Sequence, residues 1–89
     1  MVYTVEELSI LNRLWRNRCF GKGHMLIDNL IGGFPTNVQP HIRHILKDLI
    51  RRGHIVKKPT RHGYAVYINP NFKMNIMKEL RKKYVFVEF

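Results

Sequence analysis

The chain is 89 residues long with a formal charge of +10, which bounds it to one small domain whose surface seeks a polyanion. Its 45% apolar content excludes a disordered basic tail, and its single cysteine excludes an intramolecular disulfide. No apolar run approaches the roughly 20 residues that span a bilayer, and the opening MVYTVEEL carries acids where a signal peptide carries bases, so an intracellular, cytoplasmic protein is expected.

Thr4 and Glu7 have capping-box spacing ahead of Val5, Leu8, Leu11, Leu14 and Trp15, which predicts a first helix over 5–18 ended by Gly21 and Gly23. A short extended piece around His24 and a second helix near 25–31 follow, with Met25, Leu26 and Leu30 as its apolar marks. Gly32-Gly33 stops that helix and Phe34-Pro35 turns the chain. The third helix starts at Thr36 or Asn37. Pro40 is tolerated only in a first turn, which favours Asn37 as the cap. Val38, Ile42, Ile45, Leu46, Leu49 and Ile50 then repeat at helical spacing, while Gln39, His41, Arg43, His44 and Lys47 fall on the other side. Gly53 is placed to reverse the chain. Two strands, 54–58 and 64–68, flank a turn over 59–63 in which Gly63 supplies a positive φ. Asn69-Pro70-Asn71 breaks the second strand and caps a fourth helix over 72–83, with Phe72, Ile76, Leu80 and Tyr84 spaced by four.

The segment 36–67 concentrates the chemistry: seven Lys/Arg against one acid, Asp48, and four of the five histidines. The residues VQPHIRHILKDLIRRGHIVKK and RHGYAVYINP resemble the winged helix-turn-helix family, and the overall character looks like small archaeal or archaeal-virus regulators. The resemblance runs from about Val5 to Pro70. It implies an α+β fold, mainly α, in the order helix, short strand, helix, helix, strand, wing, strand, helix. It departs from the family pattern at His24, where a capping Ser, Thr or Asp is usual, and in GGFPTN, which is longer than a minimal helix–helix turn.

What the resemblance implies is a duplex-DNA-binding transcriptional regulator whose third helix enters the major groove. Gln39, Arg43, His44 and Lys47 are then the candidates for base edges, and Thr36, Asn37 and His41 for a phosphate near the helix start. In the wing, Lys57, Lys58, Thr60, Arg61 and His62 are the candidates for backbone or minor groove. The plainer readings are a solvated helix face, a turn shaped by Thr60, and charges that keep a hairpin from aggregating. Trp15, Phe20, Phe34, Tyr64 and Tyr67 can stack bases, but their spacing favours core packing. His41 and His44 stand three apart, yet no further ligand pair accompanies them, so no metal is expected.

The sequence holds no glycine-rich phosphate loop, no G-x-S-x-G and no paired carboxylates, so no enzyme, cofactor or small-molecule substrate is predicted. Residues 71–89 exceed what such a module needs, which suggests a homodimer built from the first helix and 72–89. Two alternatives stay open: a sequence-neutral nucleic-acid-binding accessory in chromatin or replication, and a protein-interaction module in a larger assembly.

Overall fold

The computed structural model describes residues 3–84, so the end of the tail (85–89), given a dimer role by the sequence, lies outside the described residues. The structure is α+β and mainly helical. Helix α1 (Val5–Arg16) is followed by β1 (Met25–Leu26), α2 (Ile27–Gly32), a 3-10 turn (Thr36–Val38) and α3 (Gln39–Arg51). A hairpin of β2 (Ile55–Thr60) and β3 (Gly63–Ile68), a second 3-10 turn (Pro70–Phe72) and α4 (Lys73–Lys83) complete the chain. The strands form one antiparallel sheet in the order β1-β3-β2.

Helix α1 starts as its spacing predicts. The Thr4 side chain accepts from the Glu7 N–H at 3.2 Å while Glu7 Oε1 accepts from the Thr4 N–H at 2.8 Å, so two otherwise orphaned donors are satisfied. Its end comes sooner than the glycines suggest. Asn17 caps it and Arg18 takes φ 55°, a left-handed residue that turns the chain without glycine. Val5 lies on the expected apolar face but is exposed, because it sits in the first turn ahead of the packed residues.

The expected second helix over 25–31 is corrected. Met25 and Leu26 pair with Val66 and Ala65 as the third strand, and the helix begins only at Ile27. The open edge of β3 offers these two residues backbone partners that a first helical turn would leave unsatisfied. The capping assignment at Asn37 is corrected too. Thr36–Val38 forms a 3-10 turn, α3 begins at Gln39 with Pro40 in its first turn, and no side chain caps it. The long GGFPTN connection thus ends in a tight turn that feeds the helix directly.

Leu8, Ile10, Leu11 and Leu14 of α1, Leu30 and Ile31 of α2, Ile42, Leu46 and Leu49 of α3, Ile55, Val66 and Ile68 of the sheet, and Ile76 and Leu80 of α4 form one core. Helix α1 is its centre, in contact with α2, α3, α4 and β3. Gly53, at φ 85°, reverses the chain from α3 into β2, and the His54 N–H returns to the Leu49 carbonyl. His54 is buried, its Nδ1 2.9 Å from the Tyr3 hydroxyl and its ring 4.3 Å from that of Phe72. This small polar contact ties the start of the described chain to the joint between α3 and the hairpin.

Candidate nucleic-acid interface

The apolar stripe of α3 is turned inward, so helical geometry leaves Arg43, His44 and Lys47 exposed in one row, with His41 exposed beside it. Each belongs to the set read from the sequence, but the structure distinguishes their freedom. Arg43 lies 3.4 Å from Asp28 on α2, both side chains well exposed, a pairing worth under about 1 kcal/mol. His41 Nε2 lies 3.7 Å from Glu6 on α1. Gln39 is half-buried and its amide donates to the Phe34 carbonyl at 2.9 Å, so its donor braces the connection before α3. Thr36 and Asn37 are exposed in the 3-10 turn. His44 and Lys47 have no ion-pair partner among the described residues.

The hairpin differs from the expected five-residue turn. Its strands continue to Thr60 and resume at Gly63, so Arg61 and His62 alone form the loop. The Thr60 hydroxyl closes it by donating to the Gly63 carbonyl while accepting from the His62 N–H. That is turn chemistry, and Gly63 at φ 122° completes it. Arg61 and His62 are exposed at the tip. Cross-strand register puts Lys57 opposite Val66 and Lys58 opposite Ala65, so the two lysines stand on opposite faces of the hairpin.

Sequence reasoning missed how these lysines are held. Lys57 Nζ stands 4.6 Å from the centre of the Tyr64 ring, and Lys58 Nζ 5.8 Å from that of Tyr67. Both are diagonal cross-strand contacts of an ammonium on an aromatic face. Tyr64, expected in the core, is 55% exposed. The reason is positional: at the loop end of β3 nothing packs over it, whereas Ala65, Val66 and Ile68 further along are buried. Trp15 is buried as the spacing suggests, while Phe20, Phe34 and Tyr67 pack partly against the core. Lys73 at the start of α4 lies 4.4 Å above Phe20, another placement the linear pattern could not show.

Behind this surface is an ionic joint. Arg52, at the end of α3, pairs with Glu7 of α1 and, at 2.9 Å through Nε, with Asp48 one turn earlier. Arg51 pairs with the other oxygen of Asp48, and its hydrogen bond holds that carboxyl below the usual range. The single acid of the basic segment is therefore spent on arginines of its own helix. Among the described residues no three His, Cys, Asp or Glu converge to hold a metal ion. What the arrangement offers is fixed positive charge and N–H donors on a rigid helix and a short hairpin. No family model, curated protein or solved structure matches the chain.

Proposed function

We propose that this chain is a winged helix-turn-helix protein that binds duplex DNA, acting as a transcriptional regulator. Helix α3 is the element for the major groove, and the Lys57–His62 hairpin is the element for flanking phosphates or the minor groove. One observation carries the reading. The exposed row Arg43, His44 and Lys47 lies on a helix whose other side is anchored in the core, and Gly53 leads that helix straight into a hairpin tipped by Arg61 and His62. Steering by the charge of +10 suits the same partner.

The test is selection of bound sequences from a random duplex pool, followed by titration of the enriched site at several salt concentrations. With about five phosphates neutralised per chain, the log–log salt slope is about −4 to −5. Arg43→Ala relaxes sequence preference, whereas Lys57→Ala weakens all duplexes alike. Salt-insensitive or undetectable binding to duplexes refutes the proposal.

A sequence-neutral variant of the reading is favoured by two contacts. The Gln39 donor is engaged by Phe34, and Arg43 is shared with Asp28, which leaves His44 and Lys47 as the unencumbered groups of the row. Absence of any enriched motif in the selection, with the same salt slope, selects that variant.

A further inference from the structure

The acids of this chain are shared unevenly among its bases. Of the 16 Lys/Arg, seven lie in 36–67, the segment of α3 and the hairpin. Four acids turn toward that segment: Glu6 to His41, Glu7 to Arg52, Asp28 to Arg43, and Asp48 to Arg51 and Arg52. Bases there exceed acids by three. The other nine bases have far less company. Arg13, Arg16, Arg18 and Lys22 occupy the second half of α1 and the loop after it. Lys73, Lys78, Arg81, Lys82 and Lys83 occupy α4. Glu79 is the one acid on those elements among the described residues, and it pairs with Lys82 at 3.1 Å. Nine bases against one acid leave an excess of eight.

These bases adjoin one another. Lys73 Nζ stands 5.8 Å from the centre of the Trp15 ring and 4.4 Å from that of Phe20, and Tyr84 borders the same surface depression as Arg13 and Arg16. Both ends of α4 therefore abut the stretch that carries the other four, and all nine except Arg13 are exposed. A surface charged only for solubility mixes both signs, whereas a field of one sign draws a polyanion. A lipid surface fits poorly. An interfacial helix sinks its apolar face into lipid, but α4 turns Ile76 and Leu80 into the core and leaves Met74 as its exposed large apolar side chain. Helix α1 packs against both α3 and α4, which have little contact with each other, so it holds the two basic helices apart by about its own thickness. We propose that the α1–α4 face binds the phosphates of a second DNA duplex, so that one chain bridges two. The bridging rests on the duplex-binding reading of α3 and the hairpin.

The experiment asks whether chain bound to an unlabelled duplex on beads captures a fluorescent duplex of the same sequence. It is run in about 0.15 M salt, where attraction between exposed charges beyond roughly 8 Å is screened. Wild type holds the fluorescent duplex on the beads. A variant combining Arg16→Gln, Lys22→Gln and Lys78→Gln removes three exposed cations that have no ion pair among the described residues. It stays on the beads, which shows that it is folded, but captures roughly tenfold less of the second duplex. Capture that falls only in step with bead retention overturns the proposal, since one surface then does all the binding. Wild type that binds the beads yet captures nothing overturns it as well. So does a loss of capture that accompanies a change from two-chain to one-chain mass in sedimentation, because paired copies would then do the bridging. Binding to phosphatidylserine vesicles without duplex capture assigns the face to a membrane and likewise overturns it. Wild type that never binds the beads refutes the duplex-binding reading itself, and the bridging falls with it.

Discussion

Arg52 sits between two carboxylates, and only one of them is removed from water. Glu7 is buried and already accepts the Thr4 N–H, so its second oxygen depends on Arg52 for compensation. Replacing Arg52 with Leu is expected to cost about 1–3 kcal/mol in urea unfolding, less than for a fully buried pair because the guanidinium remains partly wet. Adding Glu7→Gln to that variant recovers part of the loss, since the stranded charge is then gone. His54 gives a second residue-scale expectation. Burial, and next the charge of Arg52, lowers its pKa, with Glu7 and Asp48 opposing. The unfolded chain therefore takes up a proton near pH 6.5 that the folded chain refuses. Stability is complete above that pH and falls as the pH drops from 6.5 toward the lower folded value. Burial pushes the Tyr3 phenol up to about 12, so it keeps its proton and can donate to the neutral ring. Tyr3→Phe should make the acid limb of a stability-against-pH curve shallower, and an unchanged slope contradicts this role.

At the scale of elements, the joint between α3 and the hairpin rests on one backbone conformation. Gly53 has open space around it, so alanine there meets no clash and the cost is that of a left-handed φ alone. Gly53→Ala should therefore cost about 1 kcal/mol, a Tm loss of roughly 5 °C, with duplex affinity falling only if the hairpin is re-aimed. Such positions were legible in the sequence: the T-x-x-E box of α1, the apolar stripe of α3, Gly53 and Gly63 all act through neighbours a few residues away. What could not be read depends on chain brought from elsewhere. Met25 and Leu26 look helical until β3, forty residues later, offers them a ladder. Asn37 looks like a cap until Gln39 folds back onto Phe34 and tightens the turn. The candidate site divides the same way. Periodicity found the row Arg43, His44 and Lys47, but not Asp28 beside Arg43, nor the exposure of Tyr64.

For the whole molecule, burial constrains assembly. Helices α1 and α4 turn Leu8, Leu11, Leu14, Ile76 and Leu80 into their own core, and the exposed residues of α4 include Met74, Lys78, Arg81 and Lys82. Two copies meeting through these helices would bring like charges together. A homodimer formed through them would set the exposed Val5 and Met74 against that repulsion, while residues 85–89 lie outside the described residues. If it forms, sedimentation gives a two-chain mass for the full chain and a one-chain mass after deletion of 85–89; one chain's mass for both rules it out. Pro59 bears on assembly in another way. Thr60 and Gly63 flank a two-residue loop and form the bonded rung, so the next rung, Pro59 with Tyr64, points its unused backbone groups outward from β2. At that rung the pyrrolidine has no hydrogen to give, and a stray strand approaching the rim of the sheet finds its ladder interrupted. The hairpin can thus stand free of the body of the molecule without zipping onto a second copy, and Pro59→Val should raise light scattering in a concentrated solution; unchanged scattering contradicts this role.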